Sequence, residues 1–159
     1  MPLTVRRATR ADMPRLVVLL QELAAFEKLA GPTPDAEARL AADLGKRYDA
    51  LLAEDAGIAV GYAIVFETYS TFLAKSVLYL EDLFVTQKAR RRGVARLLMH
   101  EVAREATARG CPRVSWVVLD WNTDAQEFYR KLGAKRSAWD SFSLDGDALS
   151  AVARLGASP

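Results

Sequence analysis

Apolar residues recur along this chain in two alternating periods, one of two residues and one of three to four. Leu3 to Arg7 predicts a short strand. After Thr9 and Asp12, either of which can cap a helix, Leu16, Val17, Leu20, Leu23 and Ala24 follow helical spacing. Gly31-Pro32-Thr33-Pro34 interrupts that pattern, and Asp35 to Leu44 predicts a second, shorter helix ending near Gly45. Tyr48 to Ala53 and Ile58 to Thr68 are rich in β-branched and aromatic residues and flank Glu54-Asp55-Ala56-Gly57, which predicts a hairpin. Past a loop at Tyr69 to Ser76, Val77 to Val85 is an apolar run broken by Glu81 and Asp82. That is the pattern of a central strand covered on both faces.

The second half reads as strand and helix in turn. Gly93 to Arg109 is an amphipathic helix, with Val94, Leu97, Leu98, Val102 and Ala106 on or near one stripe and Gly110 placed to end it. Val114 to Leu119 predicts another buried strand. Asp120-Trp121-Asn122 leads into a helix from Thr123 to Leu132 that stops at Gly133, and Ala134 to Trp139 and Ser141 to Leu144 predict two terminal strands able to pair. Hairpins followed by strands alternating with helices imply an α/β fold, a mixed sheet flanked by helices. With 159 residues, a single domain over residues 1–159 is expected.

Composition narrows the class. At 51% hydrophobic and 26% charged residues, disorder and collagen-like structure are excluded. The single cysteine, Cys111, cannot form an internal disulfide, the chain start lacks signal-peptide features, and no apolar run approaches 18 residues. A cytoplasmic protein without a membrane segment is expected. The net charge of +2 conceals a concentration, because residues 88–109 hold seven basic residues against two acidic ones, a local +5 that leaves −3 for the rest. Such a distribution suits one anionic ligand site.

The segment Leu83-Phe84-Val85-Thr86-Gln87-Lys88-Ala89-Arg90-Arg91-Arg92-Gly93-Val94-Ala95 places glycine and alanine where a buried strand turns into a helix. Backbone N–H groups at a helix start attract phosphate, and arginines add charge-assisted bonds. Neither G-x-x-x-x-G-K-[ST] nor G-x-G-x-x-G occurs here, so ATP and NAD readings lose their main support. A solvated basic turn is one alternative. A nucleic-acid surface is another, but no aromatic residue interleaves the run and the remainder is acidic, which favours a compact phosphate-bearing cofactor over nucleic acid. His100 and Cys111 lack ligand partners at suitable spacing, so no metal site is expected. Glu81 and Asp82 are adjacent carboxylates in an apolar strand; alternation would send them to opposite faces and separate jobs.

Arg90-x-x-Gly93-x-Ala95 after Leu83-Phe84-Val85 resembles the acyl-CoA turn of the GNAT superfamily of N-acetyltransferases. Trp121-Asn122 and Phe128-Tyr129-Arg130-Lys131-Leu132-Gly133-Ala134 resemble its second cofactor region. Tyr79-Leu80-Glu81-Asp82-Leu83-Phe84-Val85 and Glu22-Leu23-Ala24-Ala25-Phe26-Glu27 look like the diamine acetyltransferase branch, as do the placements of Trp139, Phe142 and Asp145. The resemblance implies a mainly antiparallel sheet of six or seven strands, splayed at the cofactor site, and a homodimer. It implies acetyl-CoA as co-substrate, met by Leu83, Phe84, Val85, Arg90, Arg91, Arg92, Gly93, Val94, Ala95, Asn122 and Tyr129.

In this reading Glu81 is the general base, through water, and Tyr129 the acid for the departing thiolate. Asp82, Glu81, Glu27, Phe26 and Trp139 would bind a small-molecule amine, with Tyr69 and Phe72 as further candidates. The acceptor would be a diamine, polyamine or lysine-like amino acid, attacked directly in a ternary complex. Lys28-Leu29-Ala30-Gly31-Pro32 stands where polyamine enzymes carry an acidic cluster, which counts against a long polycation. The alternatives are a silent acyl-CoA sensor and an enzyme acting on a protein or peptide amine.

Overall fold

Five strands form one sheet in chain order: β1 (Thr4–Arg7), β2 (Asp49–Asp55), β3 (Ile58–Ser70), β4 (Lys75–Val85) and β5 (Val114–Ser115). The first four pair antiparallel and β5 lies parallel to β4. The expected α/β class and mixed, mainly antiparallel sheet are therefore present. The computed structural model describes residues 2–156, which divide into two units, one up to Val117 and one from Val118 onward.

In the first unit, α1 (Met13–Glu27) and α2 (Pro34–Asp43) precede β2, and α3 (Val94–Ala108) joins β4 to β5. Strand alternation sorts the apolar side chains into two layers. Leu51, Ala63, Val65, Leu78 and Leu80 pack with Val94, Leu98 and Val102 of α3. On the opposite face Leu52, Tyr62, Ile64 and Phe84 pack with Leu16 and Leu19 of α1. Gly61 is needed between β4 and α3: a Cβ there would lie 2.8 Å from the Phe84 carbonyl oxygen and 3.3 Å from Val94 Cγ1. Its absence lets the start of α3 settle onto the sheet.

The β2–β3 hairpin turns through Ala56 and Gly57 at φ 51° and 77°, a left-handed pair that matches strand twist. The predicted loop at 69–76 is shorter than expected, since β3 runs to Ser70 and β4 begins at Lys75. At the far end of α3, Arg7 and Arg109 both bond Asp49 and Glu105, with nitrogen to oxygen distances of 2.5–2.7 Å. These pairs fasten the helix end to β1 and β2, so Arg109 serves the scaffold.

The second unit contains α4 (Thr123–Lys131) and α5 (Gly146–Arg154). Three expectations are corrected here. The strand predicted over Val114 to Leu119 keeps only Val114–Ser115; among the described residues none forms a strand over 134–144; and the sheet has five strands, where the resemblance implied six or seven. A strand needs a ladder partner, and this stretch is polar, with Trp139 and Phe142 89% and 94% exposed. The unforeseen α5 has a readable signal in Asp145 before it and in Leu149 and Val152 at helical spacing.

Candidate active site

A bulge in β4 organises the acidic part of the site. Ile64 stands opposite Asp82 and Val65 opposite Leu80, so Glu81 is the extra residue. Alternation restarts one place late: Leu80 and Leu83 pack in the α3 layer, whereas Asp82 shares the other face with its partner Ile64. The expectation that Glu81 and Asp82 face opposite sides is thereby overturned. Both line one open cleft of about 450 Å³, together with Leu20, Asp43, Arg47 and Phe66.

Asp82 is the perturbed member. Burial, then the charges of Glu81 and Glu27, push its carboxyl up to about 7. Glu81 lies exposed at the cleft. Burial also raises Glu27, at the end of α1. Among the described residues, Glu81 and Asp82 enter none of the ion pairs that the other acidic residues of the first unit form. Tyr62 is fully buried near Asp82, and its hydroxyl closes no hydrogen bond of ordinary geometry. Burial and the Asp82 and Glu27 charges hold that phenol far above its usual range. A partly buried acid with two carboxylates near it is equipped to take up a proton near neutral pH.

Just beyond the bulge the sheet opens. Pairing between β4 and β5 ends at Tyr79 and Ser115. Thr86 N–H donates to the Val60 carbonyl at 2.9 Å. By antiparallel alternation, the N–H groups of Leu83 and Val85 therefore point away from β3, toward the edge where β5 has stopped. The Val85 carbonyl on that edge accepts a bond from Arg90 Nε at 3.1 Å. A donor pair on an open strand edge suits a carbonyl oxygen that gains charge.

The basic turn separates into backbone and side-chain functions. Gly93 caps α3 at φ 82° and ψ 3°, with open space over its Cα, and the first turn of the helix has no acidic residue or side-chain cap. Its N–H groups, from Val94 and Ala95 onward, thus keep the partial positive charge of a helix start. Arg90 folds back over the Phe26 ring at 4.9 Å, and Arg92 binds Asp55 of the β2–β3 hairpin at 2.6 Å. Arg91 is exposed, with φ at 60°. Of the three arginines in a row, Arg91 is the one that forms no ion pair or ring contact among the described residues.

In the second unit Asn122 caps α4, its side-chain oxygen accepting the Ala125 N–H at 3.2 Å. Tyr129 is half-buried in α4 with its ring 5.3 Å from that of Phe128, and burial pushes its phenol up to about 12. Trp139 is exposed in the second unit; Tyr69 and Phe72, on the hairpin of the first unit, are exposed and are not among the residues lining the acidic cleft.

Comparison with known proteins bears on the same segments. A family model described as the acetyltransferase (GNAT) family matches residues 17–134. The chain belongs to that family. Its relatives include a thialysine N-epsilon-acetyltransferase of Bos taurus, 32% identical, with 94% of this chain and 96% of that protein covered. An L-ornithine N5-acetyltransferase of Arabidopsis thaliana is 40% identical over 62% of this chain; the match spans 43% of that protein's length. Among solved structures, an aminoglycoside N-acetyltransferase in complex with CoA superposes with a TM-score of 0.78 at 23% identity, covering 91% of this chain and 95% of that one.

The GNAT family consists of acetyl-CoA-dependent acyltransferases, and the bovine relative that spans this chain is named an N-acetyltransferase. The uncapped start of α3, the clear space at Gly93 and the open β4 edge fit a CoA thioester on this chain. Sequence reasoning missed Asp43, Arg47 and Tyr62. Tyr62 could have been found from the alternation of β3, which places it on the face of Ile64. Asp43 and Arg47 carry no local signal and join the cleft only because the turn after α2 folds beside β3 and β4.

Proposed function

We propose that this GNAT acetyltransferase moves an acetyl group from acetyl-CoA to a primary amine of a small molecule, by direct attack in a ternary complex. The observation that carries the reading is the β4 bulge, which gathers two carboxylates without cation partners into one cleft beside an open strand edge. The co-substrate supplies an acetyl thioester. Its phosphates suit the N–H groups of Gly93, Val94 and Ala95 and the guanidinium of Arg91, and its carbonyl suits the N–H of Val85. The relatives named for thialysine and ornithine support an acceptor with a side-chain amine.

An alkyl ammonium with pKa near 10.4 must lose a proton before it attacks. Glu81 and Asp82 take that proton as a coupled pair, Glu81 drawing the cation to the cleft and Asp82 holding the proton more firmly. This division differs from the one implied by resemblance, and burial is its support. Tyr129 is the donor for the departing sulfur. With its phenol near 12, transfer of its proton to a thiolate of pKa about 8.5 is uphill by roughly 4–5 kcal/mol. Tyr129 then stabilises the thiolate chiefly as a hydrogen-bond donor. In this reading residues 1–159 act as one catalytic domain within a cytoplasmic homodimer, and the exposed Trp139 and Phe142 suit such a self-contact.

The test is release of free thiol from acetyl-CoA across lysine-like amino acids, diamines, polyamines, aminoglycosides and peptides. Small primary amines are expected to release thiol, and Tyr129→Phe to lower kcat 10- to 100-fold with little change in the KM for acetyl-CoA. Thiol release with none of these amines overturns the reading, and full turnover by the Phe variant removes Tyr129 from it.

A further inference from the structure

The cleft beside the bulge holds a residue that an amine site does not need. Arg47 lines it as well, exposed, with no acidic partner within 4.0 Å among the described residues. A guanidinium in the pocket finds no anion on a diamine or polyamine, whereas a carboxylate-bearing acceptor would pair with it.

The turn after α2 fixes where Arg47 stands. Its N–H donates to the Asp43 carbonyl at 2.9 Å, the Gly45 N–H donates to the Tyr48 carbonyl at 2.8 Å, and the Tyr48 hydroxyl donates to the Leu40 carbonyl at 2.8 Å. The backbones of Asp43 and Arg47 are thus tied together, and both residues line the cleft. Glu81 and Asp82 occupy the β4 wall, and Leu20, Leu40, Ile64 and Phe66 supply apolar surface in the same cleft.

From this arrangement we infer that the acceptor is a zwitterionic α-amino acid with a side-chain amine: Arg47 binds the α-carboxylate, Asp43 the α-ammonium, and Glu81 with Asp82 the amine to be acetylated. A carboxylate on a guanidinium forms paired, charge-assisted hydrogen bonds, which a diamine of equal length cannot make. The methylene chain between head and reacting amine matches the apolar surface. Arg47 is in this sense a specificity-determining residue. The inference rests on the acetyl-transfer reading above and adds the acceptor's carboxylate to it.

The experiment compares kcat/KM for L-lysine, its methyl ester and cadaverine, which is lysine without the carboxyl, and repeats the series with L-ornithine and putrescine. The unmodified protein is expected to prefer each amino acid over its diamine by tenfold or more, with the methyl ester falling to the level of cadaverine. Arg47→Gln is expected to reduce that preference at least tenfold, mainly through the KM of the amino acid, and Arg47→Lys to restore part of it. Equal turnover of amino acid and diamine, or a preference that survives in Arg47→Gln, overturns the inference and leaves acetyl transfer standing. Absence of thiol release with every amine overturns both.

Discussion

Two charged stretches of the first unit lie within a dozen residues of each other and are treated in opposite ways by the fold. The arginines at 90 and 92 are used internally, one bonded to the Val85 carbonyl and laid over Phe26, the other paired with Asp55. The carboxylates at 81 and 82 enter no ion pair among the described residues, and one of them is partly buried, its carboxyl pushed up to about 7. Partnered charge builds a scaffold, here one that leaves the backbone N–H groups at the start of α3 without a side-chain cap. Unpartnered, desolvated charge is costly to hold and is a mark of chemistry.

The sharpest break of this contrast is Asp82→Asn. It should lower kcat/KM by about 10²-fold or more and abolish the rise in rate expected near pH 7 for the unmodified protein, as read from a pH–rate profile. Glu81→Gln should instead move that rise to lower pH, because the Glu81 charge is one of the causes that lift Asp82. A rise left at the same pH in both variants would place the base elsewhere.

A middle-sized effect concerns stability. Asp82 binds its proton more tightly when folded, at about 7 against 3.8, so its favourable contribution is complete below about pH 4 and is lost as pH rises through 7. Asp82→Asn should therefore stabilise the protein by about 1–3 kcal/mol at pH 8 and leave it little changed near pH 4. Denaturant melts at the two pH values decide this. An active-site substitution that removes activity while raising stability would separate the acidic stretch from every ion pair of the scaffold.

The smallest effects separate the arginines. Arg91→Gln should raise the KM for acetyl-CoA about 5- to 10-fold, less so in high salt. Arg92→Gln should raise it under about threefold and cost about 0–1 kcal/mol of stability, the usual worth of an exposed pair. Equal effects of the two on KM would show that the Asp55 contact does not withdraw Arg92 from the cofactor.

The elements up to α3 were legible because their apolar periods are long and their turns carry glycine or proline, as at Gly31 to Pro34 and at Gly57. The stretch after Ser115 was not, because strands at a sheet edge depend on a partner that local sequence does not specify. Within the site, the turn at Gly93 and the carboxylates of β4 could be read directly. Their common cleft could not, since a bulge is a property of pairing between two strands and Glu81 carries no mark of being the extra residue. Arg47 was hidden for a similar reason: a basic residue in a polar turn looks like surface until the turn is folded.

The bulge has one more consequence. A strand whose residues face two layers by turns is a reading frame with two phases, and Glu81 is a single insertion in it. Upstream of that insertion, even-numbered positions such as Leu78 and Leu80 serve the α3 layer; downstream, odd-numbered Leu83 and Val85 serve it. Deleting one residue would restore a uniform frame and leave a lone carboxylate on the strand, so two adjacent carboxylates share one cleft only because the two halves of β4 are out of phase.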